Sequence, residues 1–171
     1  MNSLVPTAAE AKADAAHAAQ FVGFRLADQG YAFPIGRIQE IVIPSATARV
    51  PEVPAYVEGV ANLRGTIIPI INLRLLFGLE PRIADGETRT VVVNLGPRTI
   101  GCTVDAVTRV MRIAADHIQP PPDAVVQASR PFIQGFARVG EDLLIVLDVD
   151  NLLDPANLDA VHRAGVGQAG N

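Results

Sequence analysis

Residues 50–74 read VPEVPAYVEGVANLRGTIIPIINLR. A proline-rich loop leads into a glycine-bounded turn that carries Arg64, and the turn opens into the apolar run 67–71. A short, nearly continuous run rich in β-branched residues is typical of a strand that is buried on both faces. A second such run occupies residues 143–147. These runs indicate a β-sheet protein.

The apolar pattern of the chain repeats. Residues 21–43 fall on residues 90–112 at a shift of 69 positions, and residues 57–77 fall on residues 133–153 at a shift of 76. Two related halves are the simplest account, and a chance likeness between two apolar patterns is the alternative. Repeated short strands with Pro/Gly turns between them predict two small β-barrels packed side by side.

The spacing of three residues between Ile35, Ile38 and Ile41 has two readings. It predicts either a short helical turn or a strand with a bulge. Val104, Val107 and Val110 have the same spacing in the second half. The same kind of local structure is therefore expected twice.

The length of 171 residues fits one domain. Residues 1–20 are rich in alanine without a consistent apolar stripe, which predicts a helical or disordered tail. Residues 155–171 begin at a proline and end in glycines, so we expect a C-terminal tail there. The folded body is then residues 21–154, with a second subdomain centred on about 90–140.

Composition excludes several function classes. The formal net charge of −4 argues against nucleic acid or an anionic membrane as the main partner. The N-terminus lacks the basic start and apolar centre of a secretory signal. No apolar run approaches the roughly 20 residues that a transmembrane helix needs. We expect a soluble, cytoplasmic protein without direct membrane insertion.

Catalytic and metal-binding patterns are also missing from the sequence. The three histidines and three serines do not stand in a recognisable nucleophile turn. Asp148, Asp150 and Asp154 resemble the start of a calcium loop, but the required glycine is absent. Cys102 lies in an apolar stretch and is expected to be a small core residue. We predict a protein that is not an enzyme and that needs no metal or cofactor.

Five segments, taken in order, resemble the CheW family, whose members couple chemotaxis receptors to a histidine kinase. They are YAFPIGRIQEI at 31–41, the stretch 50–74, NLGPRTIGCTVDAVTRV at 94–110, DHIQPPPD at 116–123 and LLIVLDVDNLL at 143–153. The resemblance implies a mainly all-β fold of two packed, intertwined, five-stranded SH3-like barrels with short helices and tails.

The resemblance also implies a function. It implies a non-catalytic adaptor, monomeric when free, that binds the regulatory domain of a CheA-type histidine kinase and the cytoplasmic tip of methyl-accepting chemoreceptors. Such a protein would be cytoplasmic and recruited to membrane-associated receptor arrays.

Binding residues follow from matching positions in the family. The implied kinase and receptor contacts are Ile38, Glu40, Ile41, Gly59, Asn62, Arg64, Val104, Val107 and Val110. A second kinase contact is implied at Gln119, Asp123 and Ala124, although Gln119 is uncharged and Ala124 small where some relatives are basic and aromatic.

Each of these assignments has a structural alternative. Arg64 could brace its own loop, Glu40 could be an exposed glutamate without a role, and the apolar positions could be core. Gly59 could serve backbone geometry alone.

Two alternative functions stay open at this point. One is an adaptor of the same fold in a non-flagellar pathway, such as surface motility or second-messenger control. The other is a small-molecule-binding β-barrel, which predicts a cavity lined by a few convergent polar groups.

Overall fold

The computed structural model describes residues 18–127 and 132–153. The described residues form eleven strands and two short α-helices. The strands are β1 (Ala18–Leu26), β2 (Gln29–Pro34), β3 (Ile38–Val42), β4 (Val57–Leu63), β5 (Thr66–Asn72), β6 (Arg89–Leu95), β7 (Arg98–Val104), β8 (Ala106–Ala114), β9 (Ile118–Gln119), β10 (Ile133–Val139) and β11 (Asp142–Leu147). The helices are α1 (Leu73–Leu76) and α2 (Asp123–Gln127).

The strands form two sheets. One has five strands in the order β3-β6-β7-β5-β4, and the other has six in the order β8-β1-β2-β11-β10-β9. Neighbours run antiparallel except for the β5–β7 and β2–β11 pairs, which are parallel. The predicted mainly β architecture is confirmed. One sheet exceeds the expected five strands because the two-residue β9 pairs with β10 at its edge.

Each sheet takes strands from both halves of the repeat. At a shift of 76 positions β4 falls on β10, and at a shift of 69 positions β2 falls on the first six residues of β7. The first half contributes β1 and β2 to the six-stranded sheet and β3–β5 to the five-stranded one, and the second half does the reverse. The repeat is therefore visible in three dimensions as an exchange of strand pairs.

Two predicted boundaries differ from the structure. Strands β6 and β7 belong to the five-stranded sheet, because β6 pairs with β3 and β7 pairs with β5. A second subdomain centred on 90–140 therefore does not match the second sheet. Residues 18–20, assigned to the N-terminal tail, are strand, because they pair with residues 112–114 of β8. The rest of both predicted tails lies outside the described residues.

Both sheets curl until their edges approach each other. In the five-stranded sheet, Val42 of edge strand β3 packs on the cluster that contains Ala61 of the opposite edge strand β4. In the six-stranded sheet, Met111 of edge strand β8 shares a cluster with Ala137 of β10. Two small curved sheets, each with its own interior, agree with the expected barrels.

The largest apolar core lies between the sheets and uses matched positions of the two halves. Phe24 and Phe33 of the six-stranded sheet and Val93 and Cys102 of the five-stranded sheet are all buried in it. The expectation that Cys102 is a core residue is confirmed. In the described part of the chain, no helix is long and apolar enough to cross a membrane.

Candidate functional site

Arg64 stands at the tip of the β4–β5 hairpin. The two residues between Leu63 and Thr66 both have positive φ angles, 53° at Arg64 and 88° at Gly65. A two-residue hairpin turn of type I′ requires this geometry and favours Asn-Gly or Gly-Gly. The side-chain oxygen Oδ1 of Asn62 accepts a 2.8 Å hydrogen bond from the Gly65 amide and holds the turn. Arginine is therefore strained at its position.

The guanidinium of Arg64 binds the carboxylate of Glu40. Nε lies 3.0 Å from Oε2 and Nη2 lies 3.0 Å from Oε1. The Arg64 side chain is 76% exposed, whereas that of Glu40 is only 19% exposed. The hydrogen bond from Arg64 lowers the pKa of Glu40, and the same bond raises the pKa of Arg64. The pair therefore stays ionised at neutral pH.

This ion pair closes the five-stranded sheet on its open side. Glu40 lies on edge strand β3, next to the bulge in the β3–β6 pairing, and Arg64 follows the opposite edge strand β4. Arg64 thus braces the barrel through β3, and not its own loop as the structural alternative had it. Glu40 has a partner and is only 19% exposed, so it is not an exposed glutamate without a role. The guanidinium nitrogen Nη1 makes no hydrogen bond to any described residue, so the exposed fork keeps one donor group for a partner.

The predicted apolar contacts divide into three kinds. Ile38 and Val107, which coincide in the repeat, are half-buried against the core between the sheets. Ile41 and Val110 also coincide and are exposed, at 39% and 54%. Val104 is 1% exposed. Its assignment as a contact residue is wrong, because it is part of the core and has no surface to offer a partner.

Gly59 is buried beneath another segment of the backbone. A Cβ atom at this position would lie 2.2 Å from the carbonyl oxygen of Ala48, and the φ angle is +147°. Ala48 exchanges two backbone hydrogen bonds with Val60, of 2.8 and 2.9 Å. At the matched Gly135, a Cβ atom would lie 2.4 Å from the carbonyl oxygen of Gln119. Gly59 is therefore required for the close approach of two backbone segments, and its assignment as a contact residue is wrong because it is buried.

The second predicted kinase contact lies at the far edge of the six-stranded sheet. Gln119 is in β9 and pairs with Phe136, and its side chain is exposed. Asp123 and Ala124 open helix α2 and are also exposed. All three side chains are accessible to a partner, and their contact with a kinase stays a prediction.

Sequence reasoning missed a buried charge cluster at the crossing between the sheets. Asp105, between β7 and β8, accepts hydrogen bonds of 2.8 and 2.7 Å from Nε and Nη2 of Arg74. It also accepts a 2.8 Å bond from the amide of Ala27 and lies 3.4 Å from Arg82. Burial raises the pKa of Asp105, but the bonds from Arg74 and Ala27 outweigh it, so the pKa lies below its ordinary value. An acidic residue between Val104 and Ala106 was the available signal, because aspartate is rarely buried unless paired.

The repeat places a second ion pair opposite this cluster. Asp150 matches Arg74 at a shift of 76 positions, and Arg37, one residue beyond the match of Asp105, binds it with Nη1 2.6 Å from Oδ1. The charges are reversed and the pair is exposed, with 39% and 54% of the side chains accessible. At this matched position, the first pair is buried and the second pair is exposed, with the acidic and basic residues exchanged.

Residues 18–127 and 132–153 contain no group of three potential metal ligands. Burial raises the pKa of the Cys102 thiol, which keeps it protonated at neutral pH.

Two curled sheets with exposed charge and apolar side chains at their edges define a class of protein: a β-barrel binding module. Comparison with known proteins specifies the class. The CheW-like domain matches residues 20–157. The Chemotaxis protein CheW of Helicobacter pylori is 39% identical over 134 residues, covering 78% of this chain and 81% of that protein. The corresponding protein of Klebsiella aerogenes is 34% identical over 144 residues, covering 84% and 87%.

The likeness extends to three dimensions. The crystal structure of the scaffolding protein TtCheW from Thermoanaerobacter tengcongensis matches with a TM-score of 0.75 at 30% identity, covering 82% of this chain and 95% of that one. Protein PilI of Pseudomonas aeruginosa is 31% identical over 117 residues, covering 67% of this chain and 64% of that protein. The chain belongs to the CheW family, a family of chemotaxis scaffold proteins.

Proposed function

We propose that the chain is a non-catalytic adaptor that couples methyl-accepting chemoreceptors to a CheA-type histidine kinase. Membership of the family and the scaffolding role of its structural relative TtCheW support this proposal. The adaptor is cytoplasmic, monomeric when free, and recruited to receptor arrays at the membrane. Its mechanism is positional: it holds receptor and kinase in one assembly, where many weak contacts act together.

The observation that carries the kinase contact is the strained, exposed position of Arg64. The matched hairpin of the second half has Gly140 with a φ angle of 63° at this position. A non-glycine residue in the left-handed region is unfavourable and persists where another role requires it. Glu40 fixes the guanidinium in one orientation. A preorganised arginine fork with a free donor group is suited to a partner's carboxylate or carbonyl oxygen.

The receptor contact is assigned to the exposed apolar side chains of the two β-barrels. Ile41 and Val110 stand at matched positions on edge strands β3 and β8 and point to solvent beside the half-buried Ile38 and Val107. An amphipathic helix docks its apolar face on side chains of this kind. The tip of a helical receptor hairpin fits that requirement.

Titration calorimetry against the regulatory domain of the organism's chemotaxis-type kinase tests the proposal. We expect saturable binding, weakened at least tenfold by Arg64→Glu, which reverses the charge and repels Glu40. Arg49→Glu is the matched control, because Arg49 is exposed and lies in the loop before β4. Unchanged affinity for Arg64→Glu would move Arg64 to the receptor side, and no binding to any such kinase in the genome would overturn the adaptor function.

A second candidate is an adaptor of the same fold in a non-flagellar chemosensory pathway. The match to Protein PilI, a relative that carries a different name, supports it. Titration against the kinases of each chemosensory gene cluster in the organism separates the two candidates. The kinase bound most tightly identifies the pathway.

A further inference from the structure

The interior of the five-stranded sheet contains a cavity of about 210 Å³. Its apolar wall includes Ile68, Ile70 and Val92, and the polar wall includes Glu58, Thr90 and Thr103. The cavity therefore combines an apolar body with convergent hydrogen-bonding groups, which is the usual composition of a small-molecule site.

Two positions of the matched interior in the six-stranded sheet carry larger side chains. Phe21 occupies the position that corresponds to Thr90, and Met111 occupies the position that corresponds to Val42. Both larger side chains are buried, at 3% and 9% exposure. At these two positions the five-stranded barrel therefore leaves space that the six-stranded barrel occupies.

Polar atoms in the cavity have unused hydrogen-bonding capacity. Thr90 is 5% exposed, and its hydroxyl makes no hydrogen bond within the described part of the chain. Oε2 of the half-buried Glu58 accepts a bond from the Thr103 hydroxyl, while Oε1 has no partner among the described residues. Glu58 is the only charged side chain among the described residues that line the cavity. An occupant with a positive charge would neutralise it.

We propose that this cavity binds a small primary amine. The ammonium group donates charge-assisted hydrogen bonds to Glu58 and a hydrogen bond to the Thr90 hydroxyl, and a short apolar body packs on Ile68 and Ile70. An apolar protein cavity of about 150 Å³ holds benzene. By that scale the present cavity accepts an amine of about eight to ten non-hydrogen atoms. This inference is independent of the adaptor role, since the cavity lies inside the barrel.

Methyl-detected NMR titration of the full chain tests the site with three probes of one size. Phenethylammonium carries the amine, 2-phenylethanol replaces it by a hydroxyl, and phenylacetate carries the opposite charge. We expect saturable shifts of the Ile68, Ile70 and Val92 methyl signals with the amine, at least tenfold weaker binding of the alcohol, and none of the carboxylate. The methyl groups of Val146, which is fully buried in the six-stranded barrel, serve as internal controls.

Two variants identify the groups responsible. Glu58→Gln is expected to weaken amine binding at least tenfold, and Glu141→Gln, at an exposed position of the other barrel, is the matched control. Thr90→Phe introduces the larger residue that stands at the matched position of the six-stranded barrel and should abolish binding. If Thr90→Phe does not fold, Glu58→Gln decides alone. Absence of saturation with the amine, shifts centred on the six-stranded barrel, or unchanged affinity for Glu58→Gln would overturn the proposal.

Discussion

The five-stranded and six-stranded sheets are built from equivalent strands in equivalent order, yet they differ at three matched places. At the crossing between the sheets, one ion pair is buried and its counterpart is exposed. At the hairpin tip, Arg64 stands where the other half has Gly140. In the barrel interior, Thr90 stands where the other half has Phe21.

The two halves agree at matched positions where close packing restricts the side chain. Phe33 and Cys102 coincide in the repeat and are both 0% exposed in the core between the sheets. Gly59 and Gly135 coincide at a bulge where a second backbone segment passes too close for a side chain.

The largest predicted difference is in the free energy of unfolding, when the buried and the exposed ion pair are each broken by a substitution. Asp105→Asn leaves Arg74 without its carboxylate at a site where their side chains are only 7% and 13% exposed. Removing one partner of a buried pair destabilises a protein by about 3–5 kcal/mol. Asp150→Asn, at the exposed counterpart, should change stability within experimental error. Urea unfolding of the two variants measures both, and equal losses would contradict the comparison.

The buried pair also predicts a pH dependence with a defined sign. The pKa of Asp105 is lowered in the folded protein, so its contribution to stability is present above the unfolded pKa of about 3.9 and is lost as pH falls through the folded value. Wild-type protein should therefore lose more stability than Asp105→Asn as the pH falls from 5 to 2.5. Parallel stability curves for the two proteins would exclude Asp105 as the titrating group.

Replacement of either bulge glycine, Gly59 or Gly135, by alanine should destabilise the protein, and the loss should be somewhat larger at Gly59. An added methyl group meets a carbonyl oxygen at 2.2 Å at Gly59 and at 2.4 Å at Gly135. Gly59 additionally has a φ angle that side chains rarely adopt. We expect Gly59→Ala and Gly135→Ala each to lower the free energy of unfolding by about 3 kcal/mol, as measured in urea. A loss at only one of them would show that the two bulges are not equivalent.

The resemblance implied intertwined barrels, but the particular strands that are exchanged could not be predicted from the apolar pattern. Apolar periodicity predicted which segments are strands, and the repeat predicted two related halves. It did not predict which strand pairs with which, because β6 could have joined either sheet with the same face buried. The spacing of Ile35, Ile38 and Ile41 left a helical turn and a bulge as alternatives. The structure has both, with a 3₁₀ turn at Ile35–Arg37 followed by a bulge in β3.

The candidate site was predicted as a set of residues but not as an arrangement. Arg64 and Glu40 were both expected at a contact surface, yet their ion pair depends on how far the sheet curls. Val104 was assigned to the contact surface from its matching position in the family, and its apolar spacing does not say that it faces inward. The cavity depends on side-chain volumes at matched positions, such as Thr90 and Phe21, and these carry meaning only once the barrels are known to be equivalent.

The hairpin tips offer a test that separates strain from function. Arg64→Gly copies the second half and relieves the unfavourable backbone of Arg64. Relief of the strain opposes the loss of the Glu40 ion pair, so we expect the thermal midpoint to stay within about 2 °C of the wild-type value, while affinity for the kinase regulatory domain falls about tenfold or more. The reverse change, Gly140→Arg, should lower stability by about 1 kcal/mol without improving binding. Retention of full affinity by Arg64→Gly would remove Arg64 from the contact.

The smallest predicted difference in stability concerns substitutions in the β1–β2 turn and in the matched β6–β7 turn. Ala27 has a φ angle of 54° and the matched Gly96 has one of 62°, so both use the left-handed region. Only Ala27 is held there by a hydrogen bond from its amide to Asp105, which offsets the strain of its Cβ atom. Ala27→Gly keeps that bond and should change stability by only a few tenths of a kcal/mol, whereas Gly96→Ala introduces strain without compensation and should lower it by about 1 kcal/mol. Urea unfolding resolves the difference, and an Ala27→Gly loss as large as that of Gly96→Ala would show that the Asp105 cluster does not hold the first turn in place.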